Sequence, residues 1–444
     1  MEMTSLSFLY LFLPVSLAVF YLCPKKLRMP ALLLFSLLFY LLGDPKSLIP
    51  ILLSVSADYL LGRLMERVDE NNRLRRAVAV TVVVKNLALF LSVSVYCQMQ
   101  GIAAPLGLAV CTLLGLGYGV DIYNGEALYE KNYLRFLLAH LMFFKLPAGP
   151  LTRYRDLQEQ LNPKPADLLS VADGVCLFLQ GVAKQVILGI PLQRLYGTVV
   201  GFYGPEHSVF SLWLMPLCAA MSLYFTLSGY CDLARGLGGM FGIRLPRNFY
   251  YPYQSRSITD FVGRFNISIT NYLKTYIYHP LGEDSGSLLS AALNIGVVTM
   301  LWGLWFGFRI NYLMWGGYFV LLILLERYVW GKALMQIPVF FQRIYTFSLV
   351  LFSFVIFNGT SMGESFFFLK GMLGLASLPF STSPVLYLTS QYAPYLVLAV
   401  IFSTSLPHSV KLAVKKRSDS ASALIGALVY SALLFICTGF ILHP

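Results

Sequence analysis

An all-α protein that crosses a membrane many times is what this sequence predicts, and three observations carry the prediction. Of 444 residues, 57% are hydrophobic and 12% charged, with a mean hydropathy of +0.68. A soluble chain carries about a quarter charged residues. The apolar residues come in long runs, and about twenty such residues cross a bilayer. The basic residues gather in the short loops between runs, as cytoplasmic loops require.

These observations also exclude classes. A formal charge of +12 would suggest nucleic acid in a soluble protein. Here there is no glycine-rich phosphate loop and no aromatic-basic surface segment, so a nucleic-acid partner is not expected. The seven cysteines include no CxxC pair and lie mostly inside apolar runs, so neither a disulfide framework nor a metal site is expected. A transporter would show paired interrupted helices in matching halves, and none are visible. No soluble domain or internal repeat interrupts the chain, which reads as one membrane-embedded domain over 1–444 with a polar core at 222–317.

In chain order, the first run, Leu6–Cys23, lacks the basic flank and small-residue cleavage site of a secretory signal, and is read as a span. Further spans are expected at Met29–Leu42, Leu48–Met65, Ala77–Tyr96, Ala103–Val120, Val171–Ile190 and Phe210–Tyr230. Five more follow at Leu288–Phe308, Tyr312–Tyr328, Ile344–Phe357, Tyr392–Leu406 and Ala421–Ile441. Lys25, Lys26 and Arg28 follow the first span, and Arg63, Arg67, Arg73, Arg75 and Arg76 follow the third; loops after the second and fourth are nearly uncharged. Positive-inside counting therefore puts the N-terminus outside. The charge run Asp69–Arg76 reads as a solvated loop, and Ser285–Ser287 and Gly359–Glu364 as polar turns, the latter on the outer side. Phe136–Pro147 lies between two basic clusters and is too short to cross, so it should dip into the membrane or lie on its inner face. With Ile258–Leu281 treated as a second re-entrant segment, the count closes on about twelve crossings.

The polar core breaks this pattern. Ile258–Leu281 alternates aromatics with Asp260, Arg264, Asn266, Ser268, Thr270, Asn271, Lys274 and His279. Polar groups in a membrane are costly and by default suggest a site. Asp260 and Arg264 are four apart, neighbours on a helix and a natural ion pair. An amphipathic helix lying on the inner leaflet is the alternative reading of this stretch. Against it, the next apolar run carries Trp302, Trp305, Arg309 and Asn311 towards its far end. Polar material thus enters from both sides, as in a tunnel reached from both faces.

Several stretches resemble the membrane-bound O-acyltransferase family, of the bacterial alginate O-acetyltransferase type. These are PLGLAVCTLLGLGYGVDIYNGEA at Pro105–Ala127, FFKLPAGPLTRYRDLQEQL at Phe143–Leu161, and YFTLSGYCDLARGLGGMFGIRLPRNFYYPYQSRSITDFVGRF from Tyr224. The resemblance covers almost the whole chain. It implies a central tunnel, a bacterial cytoplasmic membrane, an acyl thioester donor such as acetyl-CoA or an acyl carrier, and no bound cofactor. It implies transfer of an acyl group, with acetyl the expected one, to an exported polysaccharide or cell-wall polymer. Extracytoplasmic acyltransferase or polysaccharide-export components are the partners implied, beside the lipid bilayer itself.

Two departures stand out. Where the family reads RRWHIS, this chain has Asn266; where it reads GLWHGA, with the histidine to which catalysis is ascribed, this chain has Phe306. Lipid- and protein-modifying relatives also carry asparagine at the first position. The second loss is chemical, because acyl transfer to a hydroxyl needs a base, and a phenyl ring has no lone pair. His207, His408 and His443 read as solvated, and His140 sits in the short dipping run. His279 is the remaining substitute base, but it lies thirteen residues after Asn266, about 20 Å along an unbroken helix. The matched residues Tyr224, Ser228, Asp232, Arg264, Trp302 and Trp305 are tunnel or substrate candidates; packing is the competing role of the tryptophans. Asp232 could orient Arg264 or Arg235, or cap the following helix. Lys145 and Arg153 could hold an anionic donor, or contact inner-leaflet phosphates. The competing functional reading is a catalytically inactive scaffold or regulatory subunit, paired with an active homologue or an extracytoplasmic acyltransferase.

Overall fold

The computed structural model describes residues 1–68, 72–162, 166–202, 207–282 and 288–442. Every regular element among them is helical. Hydrocarbon offers backbone N–H and C=O groups no partner, so each apolar run must close its own hydrogen bonds. The helices are α1 Phe8–Leu22, α2 Lys25–Gly43, α3 Pro45–Arg67, α4 Asn72–Gln100, α5 Leu108–Tyr123 and α6 Tyr133–Leu141. Next come α7 Leu168–Val200, α8 Val209–Met240, α9 Ile258–Arg264, α10 Ile267–Leu273 and α11 Leu288–Leu304. The last six are α12 Ile310–Gln336, α13 Val339–Asn358, α14 Met362–Met372, α15 Ser383–Phe402, α16 Leu406–Arg417 and α17 Asp419–Leu442. Among the described residues nine helices are long and apolar enough to cross a membrane; α1, α5 and α11 are shorter apolar helices.

Several helices outrun the apolar stretches that announce them. Helix α7 continues from Ile190 to Val200 past Pro191, which has no N–H to give the preceding turn; the chain widens there into a π-helix over Lys184–Gly189. Helix α8 continues ten residues beyond Tyr230, so Asp232 and Arg235 sit on a helix rather than at or beyond its end. Arg73, Arg75 and Arg76 belong to α4 rather than to a solvated loop, and Arg75 donates to the Ile122 and Tyr123 carbonyls at the end of α5. Residues 69–71 of that charge run, Ser285–Ser287 and His443 lie outside the described residues. Ile258–Leu281 is two short helices rather than one, because the chain turns at Phe265 and Asn266.

The chain packs as two compact units. One is Met1–Gln180 with Tyr230–Arg247, and the other Gly181–Gly229 with Asn248–Pro444. The first unit is built on phenylalanine. Phe8, Phe12, Phe39 and Phe143 all meet with ring centroids 5.4–6.2 Å apart. Its buried polar centre is Asp58, paired with Lys85 at 2.8 Å and accepting from Asn86 at 2.9 Å. Gly115 is required beside it, since a Cβ there would lie 2.3 Å from Asp58 Oδ2.

In the second unit α11 and α12 approach backbone to backbone. A Cβ on Gly303 would lie 2.2 Å from the Tyr312 carbonyl oxygen. This contact lets Trp302 and Trp315 stack at 4.5 Å. Glu326, buried on α12, accepts from the Ile258 and Thr259 N–H groups at 2.7 and 3.1 Å and from the Thr259 hydroxyl at 3.1 Å. It thereby satisfies the orphan donors that begin α9.

Candidate active site

The turn between α9 and α10 is set by two asparagines. Asn266 sits in the left-handed region at φ 54°, a conformation asparagine tolerates better than most residues. Its buried Oδ1 accepts from Asn248 Nδ2 at 2.9 Å. Asn248 in turn accepts from the Ser268 N–H through Oδ1 at 2.7 Å, and from the Ile267 N–H through its carbonyl at 2.8 Å. Asn248 thus holds the start of α10 from outside the helix. One turn back, Arg264 pairs with Asp260 at 2.6 Å, the ion pair the spacing predicts, and lies 5.5 Å over the Tyr250 ring.

The two departing positions come together through rings. Phe265 meets Trp302 at 6.0 Å, and Trp302 meets Phe306 at 6.4 Å, both edge to face. Phe306 is surrounded further by Trp315 at 5.6 Å and Phe357 at 5.3 Å. On the other side, Phe265 meets Phe249 at 5.1 Å and Phe249 meets Tyr224 at 5.8 Å. Tyr224, Asn266, Trp302 and Phe306 therefore belong to one continuous aromatic and amide cluster. Trp302 is buried with its Nε1–H unpartnered among the described residues, and so is the Ser228 hydroxyl. Trp305 is half-buried.

No described histidine joins this cluster. His279 is exposed at the far end of the helical stretch that starts after Asn266, which is unbroken from Ile267 to Tyr278. His140 belongs to the first unit, is fully buried, and donates through Nδ1–H to the Phe136 carbonyl at 2.9 Å. Burial lowers its pKa to about 3, leaving it neutral.

Asp232, Lys145 and Arg153 also belong to the first unit. Asp232 pairs with Arg235 at 3.2 Å within α8, so it does not cap a following helix. Arg153 pairs with Asp156 at 3.0 Å. Lys145 is fully buried and donates to the Ala139 carbonyl at 3.0 Å, so it presents no charge to a lipid phosphate. Burial lowers its pKa to about 7. Two residues that sequence reasoning passed over are Asn248, visible only as one letter of a long motif, and Glu326, whose signal is a carboxylate inside an apolar run.

The family model described as MBOAT, membrane-bound O-acyltransferase family, matches residues 124–368, which contain this cluster. The chain belongs to the membrane-bound O-acyltransferase family. Among similar members is the probable alginate O-acetylase AlgI of Pseudomonas aeruginosa, 29% identical over 90% of this chain and 80% of the relative. The peptidoglycan O-acetyltransferase of Helicobacter pylori is 25% identical over 83% of this chain and 79% of its own. The teichoic acid D-alanyltransferase of Bacillus subtilis is 26% identical over 57% of this chain and 68% of its own. The membrane-bound O-acyltransferase assignment and the apolar helices make the chain a multi-pass membrane protein.

Proposed function

We propose that this chain serves O-acylation, with acetyl the expected group, of an exported polysaccharide or cell-wall polymer. The carrying observation is the Asn248–Asn266 turn, which keeps the polar elbow of the family motif folded and buried, next to Phe265, whose ring meets Trp302. About twelve crossings and two re-entrant segments around a tunnel, in a bacterial cytoplasmic membrane with the N-terminus outside, are the architecture that goes with it. A cytoplasmic thioester, acetyl-CoA or an acyl carrier, supplies the acyl group. The acceptor oxygen attacks the acyl carbonyl, the C–O bond forms, the C–S bond breaks, and the hydroxyl proton leaves for a base. Trp302 Nε1–H and Ser228 Oγ are the unpartnered polar atoms available to a substrate; Tyr224, Arg264 and Trp305 line its path. Arg153 is the donor-side candidate whose charge water reaches, Lys145 being fully buried, and export components or an extracytoplasmic acyltransferase are the partners.

A second reading is favoured by one observation: Phe306 is enclosed by Trp302, Trp315 and Phe357, with no base among its ring partners. In that reading the chain is a catalytically silent subunit beside an active homologue.

Transfer of labelled acetyl from acetyl-CoA in sealed vesicles separates the two. Wild-type transfer that disappears in His279→Ala but survives Asn266→Ala would identify a relocated base. Transfer gained only in Phe306→His would identify an intact tunnel that lacks one imidazole. Silence in every variant, with or without a co-expressed active homologue, would sink the acylation reading.

A further inference from the structure

A pocket in the second unit lies where α7 ends, α8 begins, α13 ends and α14 begins. Its floor is apolar, with Leu212 and Val355, and its rim carries Tyr196, Asn358 and Glu364. Among the described residues the Tyr196 hydroxyl, Asn358 Oδ1 and Glu364 Oε1 have no hydrogen-bond partner. Three such oxygens and no lysine or arginine line the pocket, and Glu364 gives it one carboxylate, with the His207 ring close by, 5.9 Å from that of Phe368. The ring of Phe368 supplies a flat apolar face.

Glu364 is fixed before any ligand arrives. Its Oε2 accepts from the Thr360 N–H at 2.7 Å and from the Thr360 hydroxyl, and Ser361 Oγ accepts the Glu364 N–H at 3.2 Å, a capping arrangement for α14. Those bonds from Thr360 hold its carboxyl below the usual range, so it stays ionised. The neighbouring end of α13 is pinned by Asn311, whose amide donates to the Gly359 carbonyl at 2.6 Å and the Ile356 carbonyl at 3.1 Å. Asn358 follows Phe357, the ring that meets Phe306. The pocket lies at the helix ends that the basic loops assign to the outer face.

We propose that this pocket seats a neutral sugar ring of the acceptor polymer, its hydroxyls donating to Glu364, Asn358 and Tyr196 and its apolar face lying on Phe368. The inference deepens the acylation reading and rests on it. A uronate ring is disfavoured, because its carboxylate would face that of Glu364 with no lysine or arginine in the lining to offset it.

The test is a binding measurement that needs no turnover. Nanodisc-embedded protein is titrated with a β-1,4-linked glucose hexamer and with a hexuronate of equal length, by saturation-transfer NMR. The glucose hexamer should bind saturably, and the hexuronate at least tenfold more weakly. Glu364→Gln, which can still accept from Thr360 and keep the cap, should weaken the glucose hexamer at least tenfold. The pair Tyr196→Phe and Asn358→Leu, which leaves the cap untouched, should do the same with an unchanged melting temperature. No saturable binding, binding indifferent to both sets of changes, or equal binding of the hexuronate would overturn the proposal. So would displacement of the sugar's role by an octanoyl chain whose binding the same variants weaken. Acetyl transfer that fails while the glucose hexamer still binds sinks the acylation reading and spares the pocket. Transfer that proceeds while the variants leave both binding and transfer unchanged sinks the pocket alone.

Discussion

Asn266 and Phe306 occupy the two positions where the family's motifs carry histidine, and the molecule surrounds them in opposite ways. Around Asn266 the chain supplies amides: Asn248 donates to its side chain and then receives the backbone of α10. Around Phe306 it supplies rings, with Trp302, Trp315 and Phe357 meeting it edge on. An amide can reproduce part of what a neutral imidazole does in a hydrogen-bonded turn, because both donate and accept. A phenyl ring reproduces only the volume. Asn266 holds a fold element through hydrogen bonds and Phe306 packs through ring contacts, so the two positions should respond differently to the same kinds of change.

Among single substitutions at fixed pH, the largest effect is expected at the turn. Asn266→Leu leaves the Asn248 amide without its acceptor and places a branched side chain at positive φ, at a combined cost of about 3 kcal/mol. Unfolding in detergent micelles would measure it, and a loss below about 1 kcal/mol would mean the amide pair is incidental. Phe306→His should cost less, about 2 kcal/mol, through lost ring contacts and a half-buried imidazole without a designed partner. If it instead raises the unfolding midpoint, the aromatic enclosure is not a settled packing solution.

A second contrast, buried against reached by water, separates Lys145 from Arg153 in the first unit. Folded Lys145 binds its proton only below about pH 7, whereas an unfolded lysine does so up to about 10.4. Between those values the unfolded chain holds more protons, so stability should rise with pH, by at most about 1.4 kcal/mol per unit. Lys145→Met should flatten that rise, and a wild-type curve already flat from pH 7 to 10 would show the amine to be solvated. Arg153→Gln removes an ion pair that water reaches, and should change stability by less than about 1 kcal/mol at any pH in that range.

How far the sequence could be read follows the range of the interaction concerned. The helices were legible because hydrophobic runs are local, and the Asp260–Arg264 pair because four-residue spacing is. Helix ends were less so: α8 carries Asp232 and Arg235 beyond its apolar run because that ion pair lets the helix continue among polar residues. The break at Asn266 was not legible. Nothing within Ile258–Leu281 forces it, and its partner Asn248 stands eighteen residues away. The burial of Lys145 was likewise invisible, since a lone lysine between Phe144 and Leu146 reads equally as an anchor at the membrane surface. The motif resemblance located the cluster, whereas its enclosure by Trp315 and Phe357 depends on helices joined only in three dimensions.

Glu326 has a mechanical meaning beyond its hydrogen bonds. It is a carboxylate on a long apolar helix that grips the first turn of a short one, through Ile258 and Thr259. Both of its oxygens are engaged, so the grip resists rotation as well as separation. A tilt of α12 would therefore pull on α9 at one end, while Arg264 stands at the other, with Asn266 two residues beyond it. The polar turn is tied to a long apolar helix by an anionic hinge pin, with Phe261 stacked on Phe319 at 6.0 Å beside it.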